Sequence, residues 1–286
     1  MSTDTIISLL NISALVVIMM YMGLSVSFGE IVASARKVRL VAMGLVANFV
    51  VVPLIIIGLL ILFHAQPLVA TGFLILAVCP GAPLGPPLVA LAKGDVAFSV
   101  GFMVILAVLT AIVSPLLLKF LLSYLPSDNA LTIDYFRIIK VLLAGQILPL
   151  LAGIAINQWL SKMGSRLVKP LKALSNVLLV GVMVLILATQ YPTLAAIRPR
   201  GIIGMLILFF ASILVGWLFG GKARKMRRAM ALTTTVRNAA VALVIVTGNF
   251  AGTPAVTAVV AYALVSILGS YMVAILMGKT GGSYAK

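Results

Sequence analysis

Long apolar runs alternate with short polar breaks along the whole chain. Residues 5–29, 40–63, 96–118 and 201–221 contain no charged side chain, and each run is long enough to cross about 30 Å of hydrocarbon as a helix. Dividing the chain at its charged and Gly/Pro-rich breaks predicts nine transmembrane helices. These spans lie near residues 5–28, 38–63, 67–92, 95–124, 134–160, 167–190, 200–221, 226–248 and 253–278.

Two of the predicted spans contain interruptions at membrane depth. Between Cys79 and Pro87 the third span carries four prolines and two glycines, and proline removes a backbone donor and clashes with the preceding helical turn. In the eighth span, residues 233–238 read Thr-Thr-Thr-Val-Arg-Asn, and polar groups at that depth must face protein or a water-filled cavity. Both spans are therefore predicted to be broken helices.

The two broken spans occupy matching places in the two halves of the chain. Gly94 with Asp95 closes one, Gly248 with Asn249 closes the other, and an uncharged helix follows each. Interrupted helices at equivalent positions of oppositely oriented halves are typical of secondary transporters. The pattern predicts a first repeat at 1–126, with its break near 80–87, and a second at 127–286, with its break near 233–238. Two unrelated kinks in one helix bundle are the alternative.

Composition and charge set the environment of the helices. A chain with 63% hydrophobic and 9% charged residues requires a lipid environment. The net charge of +16 does not indicate nucleic acid binding, since the basic residues are spread over short loops. They concentrate after spans 1, 3, 5 and 7 and in the tail, which predicts an external amino terminus and a cytoplasmic carboxyl terminus. The host membrane is the cell inner membrane if the source is bacterial.

Five segments of the sequence resemble the bile acid:sodium symporter superfamily. They are Met19-Met20-Tyr21-Met22-Gly23-Leu24, Ala47-Asn48-Phe49 with Pro53, Cys79-Pro80-Gly81, the stretch from Leu91 to Val100 containing Ala-Lys-Gly-Asp, and Arg237-Asn238. The resemblance implies an all-α membrane protein with core and panel domains, two unwound helices that cross in the core, and alternating access. The chain resembles a nine-span form that lacks the first helix of the first repeat.

The resemblance also assigns the family's sodium ligands to positions of this chain. A Ser-Asn pair falls on Gly85 and Pro86, a serine is matched by Ser99, and the threonine one turn later falls on Met103. The shared glutamate falls on Thr233, one glutamine falls on Arg237, and a second glutamine is matched by Asn48. Sodium coupling is therefore doubtful, because hard cations require several oxygens, usually including a charged one.

Acidic residues are few and are predicted at loops or span ends, where they leave no carboxylate at the bilayer centre; they are Asp4, Glu30, Asp95, Asp128 and Asp134. The one charge predicted at that depth is Arg237, and a buried unpaired guanidinium requires an anion, carbonyl oxygens or water beside it. The predicted substrate-binding residues are Arg237, Asn238, Thr233, Thr234, Thr235, Asn48, Ser99, Pro83, Gly85 and Pro86. Arg237 either contacts the substrate or ties the carbonyl oxygens of the opposite break.

These features predict a secondary transporter of a small organic anion, in which Arg237 and the free amides of the broken helices bind the anion. A sodium-coupled symporter with rebuilt ion sites is one alternative, and a channel or receptor on the same fold is another. An enzyme is not expected, since the single Cys79 and single His64 form no catalytic constellation. No cofactor, metal, nucleic acid or obligatory protein partner is expected; the predicted partners are the anion and the lipid bilayer.

Overall fold

The computed structural model describes residues 3–122 and 134–279, and regular structure in those ranges is helical throughout. The helices are α1 Thr3–Leu24, α2 Phe28–Ala35, α3 Val38–Val46, α4 Val52–Leu62, α5 Pro67–Ala77, α6 Gly85–Leu91, α7 Val96–Leu122, α8 Tyr135–Leu142, α9 Leu148–Trp159, α10 Ser161–Thr189, α11 Tyr191–Ala195, α12 Pro199–Phe219, α13 Arg224–Thr235, α14 Ala239–Phe250 and α15 Pro254–Lys279. Asp128, the side chain of Asp4 and the predicted repeat boundary at 126 lie outside the described residues.

Eight helical segments in the described ranges are long and apolar enough to cross a membrane. They account for eight of the nine predicted spans, and the remaining span is the broken pair α5 and α6, of which α5 alone is too short. Two of the crossing segments contain a π-helical turn, at Ala47–Val51 between α3 and α4 and at Leu143–Ile147 between α8 and α9. The prediction of an all-α membrane protein is confirmed.

The helices pack as two groups. In the smaller group α1 packs against α9 and α10, and glycines bring two backbones together, since a Cβ on Gly153 would overlap the carbonyl oxygen of Met20. Small residues permit such close approach between membrane helices. In the larger group α5 packs on α15, α12 on α13, and α6 on α7 and α13. Contacts between the groups include those of α1 with α14 and of α10 with α15. The panel and core domains that the resemblance implies stay a prediction.

The first interruption lies closer to the amino terminus than the sequence predicts. The helix ends at Ala77 and resumes at Gly85, whereas the break is predicted near 80–87. The difference arises because Pro86 and Pro87 fall in the first turn of α6, where proline costs nothing: the N–H it lacks would have no helical partner there.

The second interruption is shorter than predicted. The three threonines remain helical at the end of α13, and the chain leaves helical geometry at Val236 before α14 begins at Ala239. The hydroxyls of Thr233 and Thr235 donate to the carbonyl oxygens of Ala229 and Ala231 one turn earlier, at 2.8 and 2.7 Å. Because these hydroxyls donate hydrogen bonds to carbonyl oxygens of the preceding turn, the threonines are tolerated within the helix.

Two segments predicted as loops are helical. Residues 28–35 form α2, which begins at a capping box in which Ser27 and Glu30 satisfy each other's backbone N–H groups. This Ser-x-x-Glu spacing is a readable helix start. The basic stretch after the fifth span also forms the first turns of α10 from Ser161, since lysine and arginine are good helix formers.

Candidate functional site

The two interruptions contact each other directly through Asn238. The backbone N–H of Asn238 donates to the carbonyl oxygen of Cys79 at 2.8 Å. Its side-chain Nδ2 donates to the carbonyl oxygen of Gly81 at 3.3 Å, and its Oδ1 accepts from the N–H of Val241 at 3.3 Å. One residue thus begins α14 and joins it to the first break. The two unwound segments, residues 78–84 and 236–238, therefore meet as the resemblance implies. We call this region the crossing.

The first break is held on its other side by α7. Thr110 Oγ1 donates to the carbonyl oxygen of Pro80 at 3.2 Å, and Ser114 Oγ donates to that of Val78. The next residue, Gly81, has a φ of +86°, and a Cβ there would lie 3.0 Å from the backbone nitrogen of Ala107. Only glycine adopts that backbone conformation without strain. The carbonyls freed by the broken helix therefore have fixed directions.

Arg237 lies inside the crossing and is 3% exposed. Its Nη1 donates to the carbonyl oxygens of Asn48 at 3.3 Å and Ala77 at 3.4 Å. Ala77 is the last residue of α5, so the guanidinium occupies the negative end of a half-helix, where a cation is favourable. Its Nη2 is buried and has no hydrogen-bond partner among the described residues. The predicted position of Arg237 at the break, away from bulk water, is confirmed.

Two further buried groups surround the guanidinium. Cys79 and Tyr262 are both buried and lie close enough to Arg237 to interact with it electrostatically. Tyr262 is 1% exposed, and its ring meets that of Phe73 edge to face at 5.9 Å. No carboxylate approaches this cluster among the described residues, because Glu30, Asp95 and Asp134 all lie at helix ends or turns.

Asn48 connects the first π-helical turn to the second broken helix. Its Nδ2 donates to the carbonyl oxygen of Gly44 at 2.9 Å and to Thr234 Oγ1 at 3.2 Å, while its backbone oxygen accepts from Arg237. Its Oδ1 is buried without a partner in the described structure. Since π-helical turns are frequent at functional sites, this free acceptor belongs to the candidate site.

A second cluster forms at positions to which the resemblance assigns sodium ligands. A Cβ on Gly85 would lie 3.2 Å from Thr233 Cγ2 and 3.9 Å from Ser99 Oγ. The Ser99 hydroxyl is fully buried and has no partner among the described atoms. Pro86, which follows Gly85, and Met103, one turn after Ser99, are both buried and carry no side-chain oxygen. Pro83 is half-buried in the break, and no described bond links it to either cluster.

The expected contribution of free backbone amides is smaller than the sequence suggests. The first turn of α6 contains Pro86 and Pro87, which have no N–H, and the first turn of α14 is capped by the Asn238 side chain. In the described part of the crossing, Nη2 of Arg237 therefore remains as a donor for an anion.

Two buried polar residues in this region were not identified from the sequence as site candidates. Arg228, expected in a cytoplasmic loop, is 4% exposed and donates through Nη1 to the carbonyl oxygen of Ala92 at 2.8 Å, at the end of α6. Gln146, which a sequence reading treats as a packing residue, lies in the second π-helical turn; it donates to the carbonyl oxygen of Ala107 at 2.7 Å and keeps a buried Oε1 without a described partner. Hydropathy reveals neither, because burial depends on neighbouring helices.

Comparison with known proteins supplies the family. The model of the Sodium Bile acid symporter family matches residues 12–197. A search of curated proteins gave no match. The matched range contains the first break with its Cys-Pro-Gly and ends before α13, so it covers Asn48 and Ser99 but not Arg237. Because the match spans well over half of the chain, this protein belongs to the Sodium Bile acid symporter family and is a multi-pass membrane transporter of that type.

Proposed function

We propose that this protein carries a small organic anion by alternating access, without ordinary sodium coupling, and that Arg237 takes the place of a sodium ion at the crossing. The observation that carries the proposal is the guanidinium at the carboxyl end of α5, which bonds two carbonyl oxygens through Nη1 and leaves Nη2 buried without a described partner. It provides a fixed positive charge where two unwound segments meet.

The absence of a carboxylate at the matching positions supports transport without sodium coupling. Thr233 stands where the resemblance places the shared glutamate, and its hydroxyl is directed to its own helix. Gly85 and Pro86 supply no side-chain oxygen. A hard cation would therefore meet few oxygens and no negative charge, and it would also be repelled by Arg237.

The free guanidinium nitrogen supports an anionic substrate. A buried cation with unfilled donors is costly, and the two carbonyl bonds at 3.3 and 3.4 Å are longer than a strong charge-assisted bond. A carboxylate arriving at Nη2 would neutralise the charge and complete its hydrogen bonding. The same contacts tie the carbonyls of the first break, so Arg237 serves both as tether and as anion-binding group.

One observation favours the sodium-coupled alternative. Ser99 presents a buried hydroxyl with no described partner beside Gly85 and Thr233, which is one oxygen of the kind a rebuilt site would use. The two functions are separated by measuring uptake into proteoliposomes with and without an inward sodium gradient, with the anion that thermal shift identifies as the substrate. We expect equal initial rates, and sodium-dependent accumulation would refute sodium-independent transport.

Substitution of the guanidinium tests the anion site. Thermal shift with cholate, lactate and pyruvate identifies a stabilising anion, since a ligand of the folded state raises its apparent stability. We expect Arg237→Gln to weaken binding of that anion by about tenfold or more, the usual value of a charge-assisted hydrogen bond. Arg36→Gln, at an exposed cation, is the matched control. Full affinity in Arg237→Gln would leave Arg237 as a tether alone.

A further inference from the structure

A cavity of about 430 Å³ lies at one end of the larger helix group. It is enclosed by α4, α5, α12 and α15, and the segment that joins α11 to α12 covers one side. Its volume falls in the range of ligand pockets, about 300–1,000 Å³. Arg237 is not among its described lining residues, so the cavity is a different site from the crossing.

The walls of the cavity are apolar. Apolar side chains from all four helices form them, including Ile56 of α4, Phe73 of α5, Met205 and Leu208 of α12, and Ala258 of α15. Such walls suit a hydrocarbon chain, because the chain can pack against them by van der Waals contact and leaves no polar group unsatisfied.

The mouth of the cavity is basic. Arg198, Arg200 and His64 line it and are exposed, and no acidic side chain is among the described lining residues. Neither arginine forms an ion pair with a carboxylate in the described part of the chain. The charge of the mouth is therefore complementary to an anion.

Three helix amino termini add to this positive potential. Helices α5, α12 and α15 begin at Pro67, Pro199 and Pro254, and the cavity lining includes Gln66, Arg198 and Pro254 at those starts. The residues that precede α5 and α12 make no side-chain cap. Basic residues at the start of a helix oppose its dipole, and a bound anion would remove that conflict.

We propose that this cavity binds an anionic membrane phospholipid, with its phosphate at Arg198 and Arg200 and one acyl chain between the helices. The bilayer is the source because the helix surfaces beside the cavity face lipid: Leu62 is 67% exposed and Ile203 47%. An anionic phospholipid accounts for both features of the cavity, because its head group would bind at the basic mouth and its acyl chain would pack along the apolar walls.

The test measures lipid binding to the purified full chain. Binding of fluorescent phosphatidylglycerol and phosphatidylcholine is compared for wild type, for Arg198→Gln with Arg200→Gln, and for Gly204→Leu. A Cβ at Gly204 lies at ordinary contact distance, 3.4 Å, from the Phe63 ring, so the larger side chain extends into the cavity. We expect wild type to prefer phosphatidylglycerol and both variants to bind it about tenfold more weakly.

Matched controls distinguish a specific site from general surface charge. Lys119→Gln with Lys140→Gln removes the same charge at exposed positions outside the cavity and should retain the preference. Loss of the preference in that control, or its retention in the Arg198/Arg200 variant, would overturn the proposal. If inorganic phosphate alone displaced fluorescent phosphatidylglycerol as well as the unlabelled lipid does, the site would be assigned to a soluble anion instead. Anion binding by the Arg237→Gln protein is scored separately, so failure of one proposal leaves the other measurable.

Discussion

Substitution of Asn238 by alanine tests whether one side chain holds the two broken helices together. The Asn238 carboxamide caps α14 by accepting from the N–H of Val241, and it donates to the carbonyl oxygen of Gly81 in the other break. Alanine removes both bonds while leaving the backbone bond to Cys79. The two losses fall on different segments, the start of α14 and the break between α5 and α6, and we expect them to add.

The expected cost follows from those two bonds. Loss of an asparagine cap costs about 1 kcal/mol, and a buried carbonyl left without its partner costs about 1–3 kcal/mol. Asn238→Ala should therefore lower the free energy of unfolding by about 2–4 kcal/mol. Asn238→Ser keeps a capping oxygen but is too short to reach Gly81, so it should lose only the second part.

The assay is reversible unfolding in mixed micelles titrated with denaturing detergent, followed by circular dichroism. Asn249→Ala is the matched control, since Asn249 lies on the same helix and donates only to the carbonyl oxygen of Ile245, within that helix, at 2.9 Å. We expect it to cost less than about 1 kcal/mol. Equal destabilisation by Asn238→Ala and Asn249→Ala would refute the reasoning, because the bond between the breaks would then contribute nothing measurable.

Two further substitutions test the packing around the site by the same unfolding assay. Thr110→Val should lower the free energy of unfolding by about 1–3 kcal/mol, because it leaves the Pro80 carbonyl of the first break unsatisfied. Thr71→Val should cost much less, since Thr71 is equally buried but bonded only within its own helix. Equal costs would argue against a role for α7 in holding the break. Gly101→Ala should be strongly destabilising, since its Cβ would overlap Ser34 Oγ. A Cβ at Gly58 would have no neighbouring atom within 4 Å, so Gly58→Ala should be neutral or stabilising by about 0.5–1 kcal/mol. A similar loss of stability in the Gly101→Ala and Gly58→Ala proteins would contradict the close contact of α2 with α7.

Sequence reasoning located the chemistry of this site better than its geometry. Proline and glycine in an apolar run indicate a break wherever they occur, and Arg237 is recognisable because a charge in such a run is costly. The limits of the breaks were wrong by several residues, since Pro86 and Pro87 are tolerated in a first turn and Thr233 satisfies its hydroxyl on the preceding turn. The inverted relation of the two halves, the orientation of the termini and the substrate-binding roles remain predictions.

The sequence alone determined that this protein is a bundle of apolar helices in a membrane, with two interruptions and a buried cation, because hydropathy, proline and charge act locally. Only the tertiary structure decided what the interruptions touch. The bond from Asn238 to Gly81, the carbonyls that receive Arg237, and the burial of Arg228 and Gln146 all depend on residues far apart in the chain. Hydropathy is a property of each segment, whereas a partner is a property of the packing between segments.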